Sequence, residues 1–247
     1  MVSIITPTFG RAQLLPALAR CVAQQQVAWE WRVLDDSPAP DSEMQALAAR
    51  DARVHYTHSP TRLTIGAKRS RLVAESRGDV IAHFDDDDYY APHYLADMTR
   101  CLAERAADLV KLSAFYLHAP AADLFGYADL GAPTGPHYLA TGASVEQVEP
   151  SALMPISDDF VLCYGFSYVY HRALASAADF ADTNLGEDDH FIRAVVRAGH
   201  HVATLDDVHQ SCLHVIHPGS TSRCFARYRL PSFLLPQLFP GYAGYPD

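Results

Sequence analysis

Residues 80–90 read VIAHFDDDDYY, an apolar run that stops in four consecutive aspartates. Adjacent carboxylates raise one another's pKa and destabilise a fold unless a cation or hydrogen bonds compensate. Because side chains alternate across a strand, we expect Asp85 and Asp87 to project to the same side. That arrangement suits a hard divalent cation that also binds the phosphates of a ligand. A plainer alternative is a solvated turn in which Asp88 helps to begin the helix that Pro92 marks.

Strands and helices alternate up to and through this run. The predicted strands cover 2–6, 31–34, 54–57 and 80–84, and the predicted helices cover 14–26, 42–50 (with Ser42 as the cap) and 66–77. Such alternation predicts a mostly parallel sheet with helices on both faces. Ligands bind such sheets beyond the carboxyl ends of the strands. Polar residues follow three of these strands, at 6–8, 35–36 and 85–88, so we expect them to form one site.

The second half of the chain is less regular. Its periodic segments predict a helix to about residue 105, a strand over 109–117, an aromatic strand over 160–170, a helix over 186–198 and a strand over 201–204. Residues 119–155 are interpreted as loops with short strands that could form a mobile flap, because connections of that length are usually functional or disordered. The tail from residue 223 is too rich in proline to be one helix. We expect it to pack irregularly or to meet a partner.

Composition excludes several classes of protein. The 247 residues are 49% hydrophobic, which is enough for one sizeable core or two fused lobes. The formal charge of −10 argues against a nucleic-acid-binding surface. The 5 cysteines, which include Cys163, are scattered without a C-x-x-C pair and indicate reduced thiols rather than a disulfide framework. With no signal peptide or membrane-spanning run recognised, we expect a soluble, cytoplasmic protein.

Four segments form an ordered set of motifs. They are VSIITPTFGR at 2–11, WRVLDDS at 31–37, GAKRS at 66–70 and GDVIAHFDDDD at 78–88. In this order they resemble the opening strand, the second strand with its acid pair, the helix, and the D-x-D-D signature of family 2 glycosyltransferases. The resemblance continues to about residue 220. The chain departs from the family at Gly10, where Asn is frequent, and at residues 67–69, where A-R-N is frequent.

The resemblance implies an α/β fold of the glycosyltransferase A type. In this fold a mostly parallel nucleotide-binding sheet, flanked by helices, is fused to a smaller acceptor-side subdomain. We expect residues 1–110 to form the nucleotide-sugar-binding half, 111–222 the acceptor-binding and catalytic half, and 223–247 a tail rich in proline and aromatic residues. The implied donor is a nucleotide-diphosphate sugar, with a UDP-sugar favoured, and the implied cofactor is magnesium or manganese.

The resemblance also implies which residues bind the nucleoside of the donor. Pro7 and Thr8 would line its pocket, and Asp36 would meet the base or the ribose, with Asp35 as the alternative. Lys68 is predicted to bind the donor or to lie at the surface.

The four aspartates receive unequal roles by the same resemblance. Asp85 would lie near the ribose and the metal, and Asp87 would hold the metal at the diphosphate. Asp88 would support the site or face the sugar. Asp86 is the variable position, placed on the donor side and expected to be the most solvated of the four.

Arg69 is singled out by helical spacing alone. It lies four residues from both Ile65 and Val73, so it falls on the core-facing stripe of its helix. A buried arginine needs an anionic partner, which a diphosphate or the acid cluster would supply, so Arg69 is predicted to bind the donor. Arg71 fits a surface pair with Glu75 better.

A second acidic segment, GEDDHFIR at 186–193, opens a helix. Asp188 is expected on the buried face with Phe191, Ile192, Val195 and Val196. Asp189 is expected only to favour the helix N-terminus. The segment resembles the E-D motif of the family, in which the Asp is the general base that deprotonates the acceptor hydroxyl. Asp188 is therefore predicted to be catalytic, and Glu187 to bind the acceptor or support the loop.

The segment CLHVIHPGSTS at 212–222 contains two histidines. Read alone, Cys212, His214 and His217 suggest zinc, but no second ligand pair at zinc-site spacing accompanies them. By resemblance to the family, His217 completes the metal site. Ser220, Ser222 or Arg223 would touch the diphosphate, and His83, inside a strand, is expected in the core.

These observations together predict a metal-dependent inverting glycosyltransferase that moves one sugar to a glycan or another hydroxyl acceptor. The processive Q-x-x-R-W motif is absent from the sequence. One alternative is a sugar-phosphate nucleotidyltransferase, although residues 7–11 are poor in glycine for its basic loop. Another is a non-catalytic nucleotide-sugar-binding module. The tail could mediate homo-oligomer formation or peripheral contact with the inner face of a membrane.

Overall fold

The computed structural model describes residues 1–154, 156–162, 164–221 and 223–245, so Cys163 and Ser222 lie outside the described residues. The strands are β1 (Val2–Thr8), β2 (Trp29–Asp35), β3 (Val54–His58), β4 (Val80–His83), β5 (Tyr89–Tyr90), β6 (Leu109–Ala119), β7 (Leu124–Asp129), β8 (His137–Ala140), β9 (Val145–Val148), β10 (Val169–His171), β11 (Val202–Asp206), β12 (Cys212–Val215), β13 (Cys224–Ala226) and β14 (Tyr228–Leu230). The α-helices are α1 (Leu15–Ala23), α2 (Ser42–Arg50), α3 (Ile65–Glu75), α4 (Tyr94–Glu104), α5 (Glu187–Arg197) and α6 (Leu235–Leu238).

The chain divides into two compact units. Unit 1 comprises Met1–Asp86, Pro92–Lys111 and Tyr164–Thr204, and unit 2 comprises Asp87–Ala91, Leu112–Cys163 and Leu205–Asp247.

Unit 1 contains the parallel sheet that the sequence predicts. Strands β4, β1, β2 and β3 lie side by side in that order and run parallel. Strand β10 adds to β4 in the antiparallel direction and pairs in turn with the first residues of β6. Because β1 and β2 are almost entirely buried, their apolar runs form the core of the unit.

Two helices of unit 1 begin at side-chain caps that fix the loops after β2 and β3. The carboxylate of Asp41 accepts hydrogen bonds from the backbone N–H groups of Glu43 and Met44, so Asp41 rather than Ser42 caps α2. Both residue types are good caps, and the position decides between them. The hydroxyl of Thr64 accepts the N–H of Ala67 and caps α3.

Unit 2 contains most of the remaining β-structure. Strand β7 pairs antiparallel with β6 and β14, while β12 runs parallel to β6 and antiparallel to β5. Strands β13, β8 and β9 form a separate antiparallel sheet. The short strands expected within 119–155 are therefore present. The tail packs into this unit, because Phe239 is only 1% exposed.

The aromatic strand predicted over 160–170 is wrong for most of its length. Residues Asp158–Leu162 and Gly165–Ser167 form 3₁₀ turns, and only Val169–His171 is a strand. Tyr164 has a left-handed φ of 70°, which ends any extended run before Gly165. An apolar composition indicates burial, and buried turns share it with buried strands.

Other expectations about the whole chain can be checked directly. Within the described residues, no helix is long and apolar enough to cross a membrane. The four described cysteines are buried, and no disulfide joins them.

Candidate active site

The carboxyl ends of the parallel strands of unit 1 bring predicted donor-binding residues to one edge. In register, Thr8 at the end of β1 lies opposite Asp35 at the end of β2. Strand β4 runs parallel to β1 on its other side and ends at His83, two residues before Asp85. Pro7 is half-buried within β1. The prediction that these strand ends share one edge is confirmed for unit 1.

Asp36 is held by three donors. Its carboxylate accepts hydrogen bonds from the Leu63 backbone N–H (2.6 Å), from Arg62 Nη1 (2.6 Å) and from Lys68 Nζ (2.9 Å). Burial alone would raise the pKa of Asp36, but these donors outweigh burial and the pKa is lowered. Asp36 is therefore a fixed, ionised acceptor at the edge of the sheet.

Lys68 is an interior residue and not a surface one. It is 2% exposed, and its Nζ donates to the Thr8 carbonyl (2.8 Å) as well as to Asp36. Burial lowers the pKa of Lys68, and the adjacent Asp36 carboxylate opposes this shift. The lysine thus ties α3 to the end of β1.

Asp35 is occupied by different partners. Its Oδ1 accepts the N–H (2.8 Å) and the hydroxyl of Ser37, and its Oδ2 accepts the Tyr56 hydroxyl (2.7 Å). Burial and the carboxylate of Asp35 raise the pKa of Tyr56. Asp35 therefore shapes the loop after β2. Contact of Asp36 with the nucleoside, with Asp35 as the alternative, stays a prediction.

Asp86 is not solvated, contrary to the expectation from the sequence. Its side chain is 3% exposed and accepts hydrogen bonds from the Thr8 hydroxyl (2.6 Å) and from Arg11 Nη1 (2.6 Å). The aspartate run leaves the sheet after β4 and turns at residues 86–87, so strand alternation does not apply to it. The turn brings Asp86 back against the end of β1.

Arg69 is buried, as its helical position predicts, and its partners are carboxylates of the protein. Nη2 lies 3.1 Å from Asp85 Oδ1, and Nε lies 3.6 Å from Glu187 Oε1. Nη1 lies 2.6 Å from His83 Nδ1, which also faces the carbonyl oxygen of Gly165 at 2.9 Å. Burial and the neighbouring Arg69 hold the pKa of His83 well below its usual value, so this core histidine is neutral.

Asp188 lies in the first turn of α5 with its carboxylate fixed by backbone amides. Oδ2 accepts the N–H of Gly165 (2.8 Å), and Oδ1 accepts the N–H of Asp189 (2.9 Å). The predicted buried face of α5 is wrong in two places: Glu187 is the fully buried acid, and Val196 is 43% exposed. Asp188 is half-buried, so the residue is supported by its neighbours and still partly exposed to solvent.

Glu187 points into the interior of unit 1. Burial raises its pKa, a neighbouring Asp188 adds to the rise, and Arg69 opposes it. Of the two roles predicted for Glu187, this position favours support of the helix start. Its role in acceptor binding stays a prediction.

In unit 2, Asp87 and His217 lie side by side. Asp87 Oδ2 is 2.9 Å from His217 Nε2, and their side chains are 11% and 4% exposed. Nδ1 of the same ring accepts the N–H of Gly219 (3.1 Å) and meets the Tyr245 hydroxyl (2.9 Å). The ring is therefore held on both sides.

The neighbouring pair in unit 2 is separate and structural. Asp88 Oδ1 lies 2.9 Å from His214 Nδ1 and accepts the backbone N–H of Val215 (2.8 Å), which attaches β12 to the aspartate run. Among the described residues, no group of three or more histidines, cysteines or acids is arranged to hold a metal. The zinc alternative through Cys212, His214 and His217 therefore has no support.

Asp87 and His217 fit a divalent cation that shares its coordination with a ligand. A carboxylate oxygen and an imidazole nitrogen 2.9 Å apart can bind one ion together. Magnesium in particular is usually bound by one or two protein groups, with substrate phosphates and water completing the shell. Two protein ligands are enough for such a site, and a cage of three is not required.

In each unit, residues that contact the predicted ones carry no clear signal in the sequence. Arg62 binds Asp36 and lies with its guanidinium 3.4 Å from the ring centroid of the exposed Phe9. Arg11 belongs to a sequence motif but has no predicted contact of its own, and no pattern in the sequence points to Gly165 or Tyr245. All four act through contacts that join distant parts of the sequence, which periodicity does not report.

Comparison with known proteins gives a family match for the first part of the chain and a fold match for most of it. Residues 3–116 match the model of glycosyl transferase family 2. The solved structures that resemble the chain include TarS 1–349 from S. aureus in complex with UDP, at 17% identity and a TM-score of 0.63, over 88% of this chain and 61% of that one. The same fragment in complex with UDP-GlcNAc matches at 15% identity and 0.62, over 89% and 59%.

A third structure is the mannosyltransferase PcManGT from Pyrobaculum calidifontis in complex with GDP-Man and Mn²⁺. It matches at 16% identity and a TM-score of 0.57, over 86% of this chain and 56% of that one. The chain thus spans less than two thirds of each of these proteins. No curated protein matches the chain significantly by sequence. The expected family resemblance and the glycosyltransferase A-type fold are confirmed.

Proposed function

We propose that this chain, whose residues 3–116 match the model of glycosyl transferase family 2, is a metal-dependent inverting glycosyltransferase that moves a single sugar. The donor is a nucleotide-diphosphate sugar, and the acceptor is a hydroxyl of a glycan or of another molecule. UDP-sugars are the first candidates, because TarS is known in complex with UDP and UDP-GlcNAc, and GDP-mannose follows from PcManGT.

The observation that carries this proposal is the setting of Asp188. Two backbone N–H groups fix its carboxylate at the start of α5, and the side chain is partly open. A general base needs a fixed carboxylate within hydrogen-bond reach of the proton that it removes. In the same unit, Asp36 and Lys68 lie where the parallel strands end.

The reaction is a single displacement. Asp188 takes the proton of the acceptor hydroxyl. At the same time, the oxygen of that hydroxyl forms a bond to the anomeric carbon of the donor. The bond between that carbon and the diphosphate oxygen breaks, and the nucleoside diphosphate leaves with the electron pair. Attack opposite to the leaving group inverts the anomeric centre, and no second carboxylate nucleophile is needed.

The negative charge of the diphosphate leaving group has to be neutralised, and a cation can do this. The buried cations Lys68 and Arg69 are already paired with Asp36 and Asp85. A divalent metal held by Asp87 and His217 would supply positive charge to the leaving group. His217 and Asp87 lie close enough to bind it jointly.

Nucleotide release tests the proposal. The protein is incubated with a panel of UDP- and GDP-sugars and Mn²⁺, with and without EDTA, and the free nucleoside diphosphate is measured by chromatography. We expect release with at least one donor and its loss with EDTA. Asp188→Asn should abolish release but keep donor binding, whereas Asp87→Ala should weaken both. Asp189→Asn is the matched control, because Asp189 pairs with Arg193 at the surface of the same helix turn.

Three results would refute the proposal. Failure to bind any donor across the panel would exclude a transferase. Release of pyrophosphate from a nucleoside triphosphate and a sugar phosphate would instead identify a nucleotidyltransferase. Binding of a donor with no turnover, unchanged in Asp188→Asn, would identify a non-catalytic module.

A further inference from the structure

The tail of unit 2 returns to His217 by way of an aromatic anchor. Phe239 is buried against Tyr116 and Tyr89, with ring centroids 5.2 and 6.0 Å away. From this anchor the chain turns at Gly244, whose φ of 90° is strained for any other residue. The turn stacks the ring of Tyr245 on that of His217, with centroids 4.4 Å apart and planes 22° apart.

The hydrogen bonds of His217 determine which of its nitrogens carries the hydrogen. A backbone N–H can only donate, so Nδ1, which faces the N–H of Gly219 at 3.1 Å, is the acceptor. Tyr245 donates its hydroxyl hydrogen to the same nitrogen at 2.9 Å. The hydrogen of the neutral ring therefore lies on Nε2 and is donated to Asp87 Oδ2.

A metal bound at Nε2 would require the opposite arrangement. Nε2 must then present its lone pair, so one hydrogen leaves Nε2 and one is taken up at Nδ1, and the ring stays neutral. The N–H of Gly219 cannot accept a hydrogen bond from Nδ1, whereas the Tyr245 hydroxyl can, because it is both donor and acceptor. Partners of this kind fix the orientation of metal-binding histidines.

We propose that Tyr245 is a positioning residue for His217: its hydroxyl donates to Nδ1 in the metal-free protein and accepts from Nδ1 when a divalent cation binds. The turn at 217–220, which brings the Gly219 N–H onto the ring, has to give way in the same step. This inference rests on the metal site of the proposed function. It assigns to the tail a direct part in cation binding.

Cation affinity tests the inference without any turnover. Binding of Mn²⁺ in the presence of UDP or GDP is measured by isothermal titration calorimetry for the wild type and for Tyr245→Phe, which keeps the stacked ring. We expect the Kd for Mn²⁺ to rise by roughly 10-fold in Tyr245→Phe, the lower end of the usual effect of such partners. Tyr228→Phe is the matched control, because Tyr228 is 52% exposed in the same unit, and its Kd should not change.

The outcomes separate this inference from the function on which it rests. If the wild type does not bind Mn²⁺ with either nucleotide, or His217→Ala binds it equally well, the metal site itself is wrong. If His217→Ala weakens binding but Tyr245→Phe matches the wild type, only the role of Tyr245 is overturned. Weakening in Tyr245→Ala but not in Tyr245→Phe would assign the effect to ring packing and would also overturn it.

Nitrogen NMR of the imidazole gives a second readout. In the metal-free protein, the ¹⁵N shifts of His217 should report the hydrogen on Nε2, and addition of Mg²⁺ with the nucleotide should move it to Nδ1. A ring that carries its hydrogen on Nδ1 before any metal is added would contradict the inference.

Discussion

Replacement of Arg69 by methionine is expected to destabilise unit 1 more than any other single loss of charge at the site. Methionine keeps most of the length of the side chain but removes the guanidinium that faces Asp85, Glu187 and His83. Removal of one partner from a buried ion pair typically costs about 3–5 kcal/mol. That is a large part of the ~5–15 kcal/mol by which a domain is usually stable.

Urea denaturation followed by circular dichroism measures this loss. The matched control is Arg71→Met, two residues along the same helix, where the exposed pair with Glu75 should contribute only about 0.3–0.5 kcal/mol. The denaturant dependence should be unchanged in both variants, so that the shift in midpoint reports stability.

The pH dependence of the Arg69→Met deficit has a definite sign. Burial already raises the pKa of Glu187 and Arg69 opposes that rise, so the variant should raise it further. A carboxyl whose folded pKa is raised contributes stability that is present at low pH and lost as the pH increases through the folded value. The loss of unfolding free energy in Arg69→Met should therefore become smaller as the pH is lowered from neutrality. The additional substitution Glu187→Gln should recover part of this loss. A deficit no larger than that of Arg71→Met, or one independent of pH, would refute this reasoning.

Three further changes test other parts of the molecule. Glu30→Gln should reduce the pH dependence of the unfolding free energy. Burial opposes ionisation of Glu30, but its hydrogen-bond donors lower its pKa from 4.5 to about 2. In urea titrations, the stability of the wild type should therefore fall more than that of the variant as the pH drops through this range. Gly165→Ala would place a Cβ 2.5 Å from that of Asp188, so sugar transfer should fall roughly 10²-fold while the calorimetric Kd of the donor stays unchanged. Lys68→Met removes a buried donor from Asp36 and should cost about 1–3 kcal/mol of unfolding free energy, measured by urea denaturation.

Much of unit 1 could be predicted from the sequence because its signals are local. Apolar runs that end in polar residues marked the strands, and their parallel order followed from the helices between them. Arg69 was found because helical spacing alone puts it on a buried face, and a buried cation requires acids nearby.

The errors arose where a contact between distant residues decides the structure. Asp86 looked solvated because nothing local shows that Thr8 and Arg11 approach it. The predicted buried face of α5 is wrong by one residue in the first turn, because Glu187 occupies the interior position that was expected for Asp188. The helical wheel gives the direction of a side chain only within its own helix. The pull of Arg69 on Glu187 comes from another helix.

If Asp36 meets the nucleoside, as proposed above, its three donors have a consequence for how nucleotide preference evolves. The carboxylate of Asp36 is already immobile, so it loses no rotamer entropy when a ligand binds. The entropy cost of ordering this side chain belongs to folding and not to binding. Substitution at Asp36 would therefore penalise the fold before it altered the choice of base. Arg62 is different, because its side chain is 51% exposed and can be exchanged at little structural cost. Under the proposed function, divergence in base preference is expected to begin at Arg62, with Asp36 kept as a constant anchor.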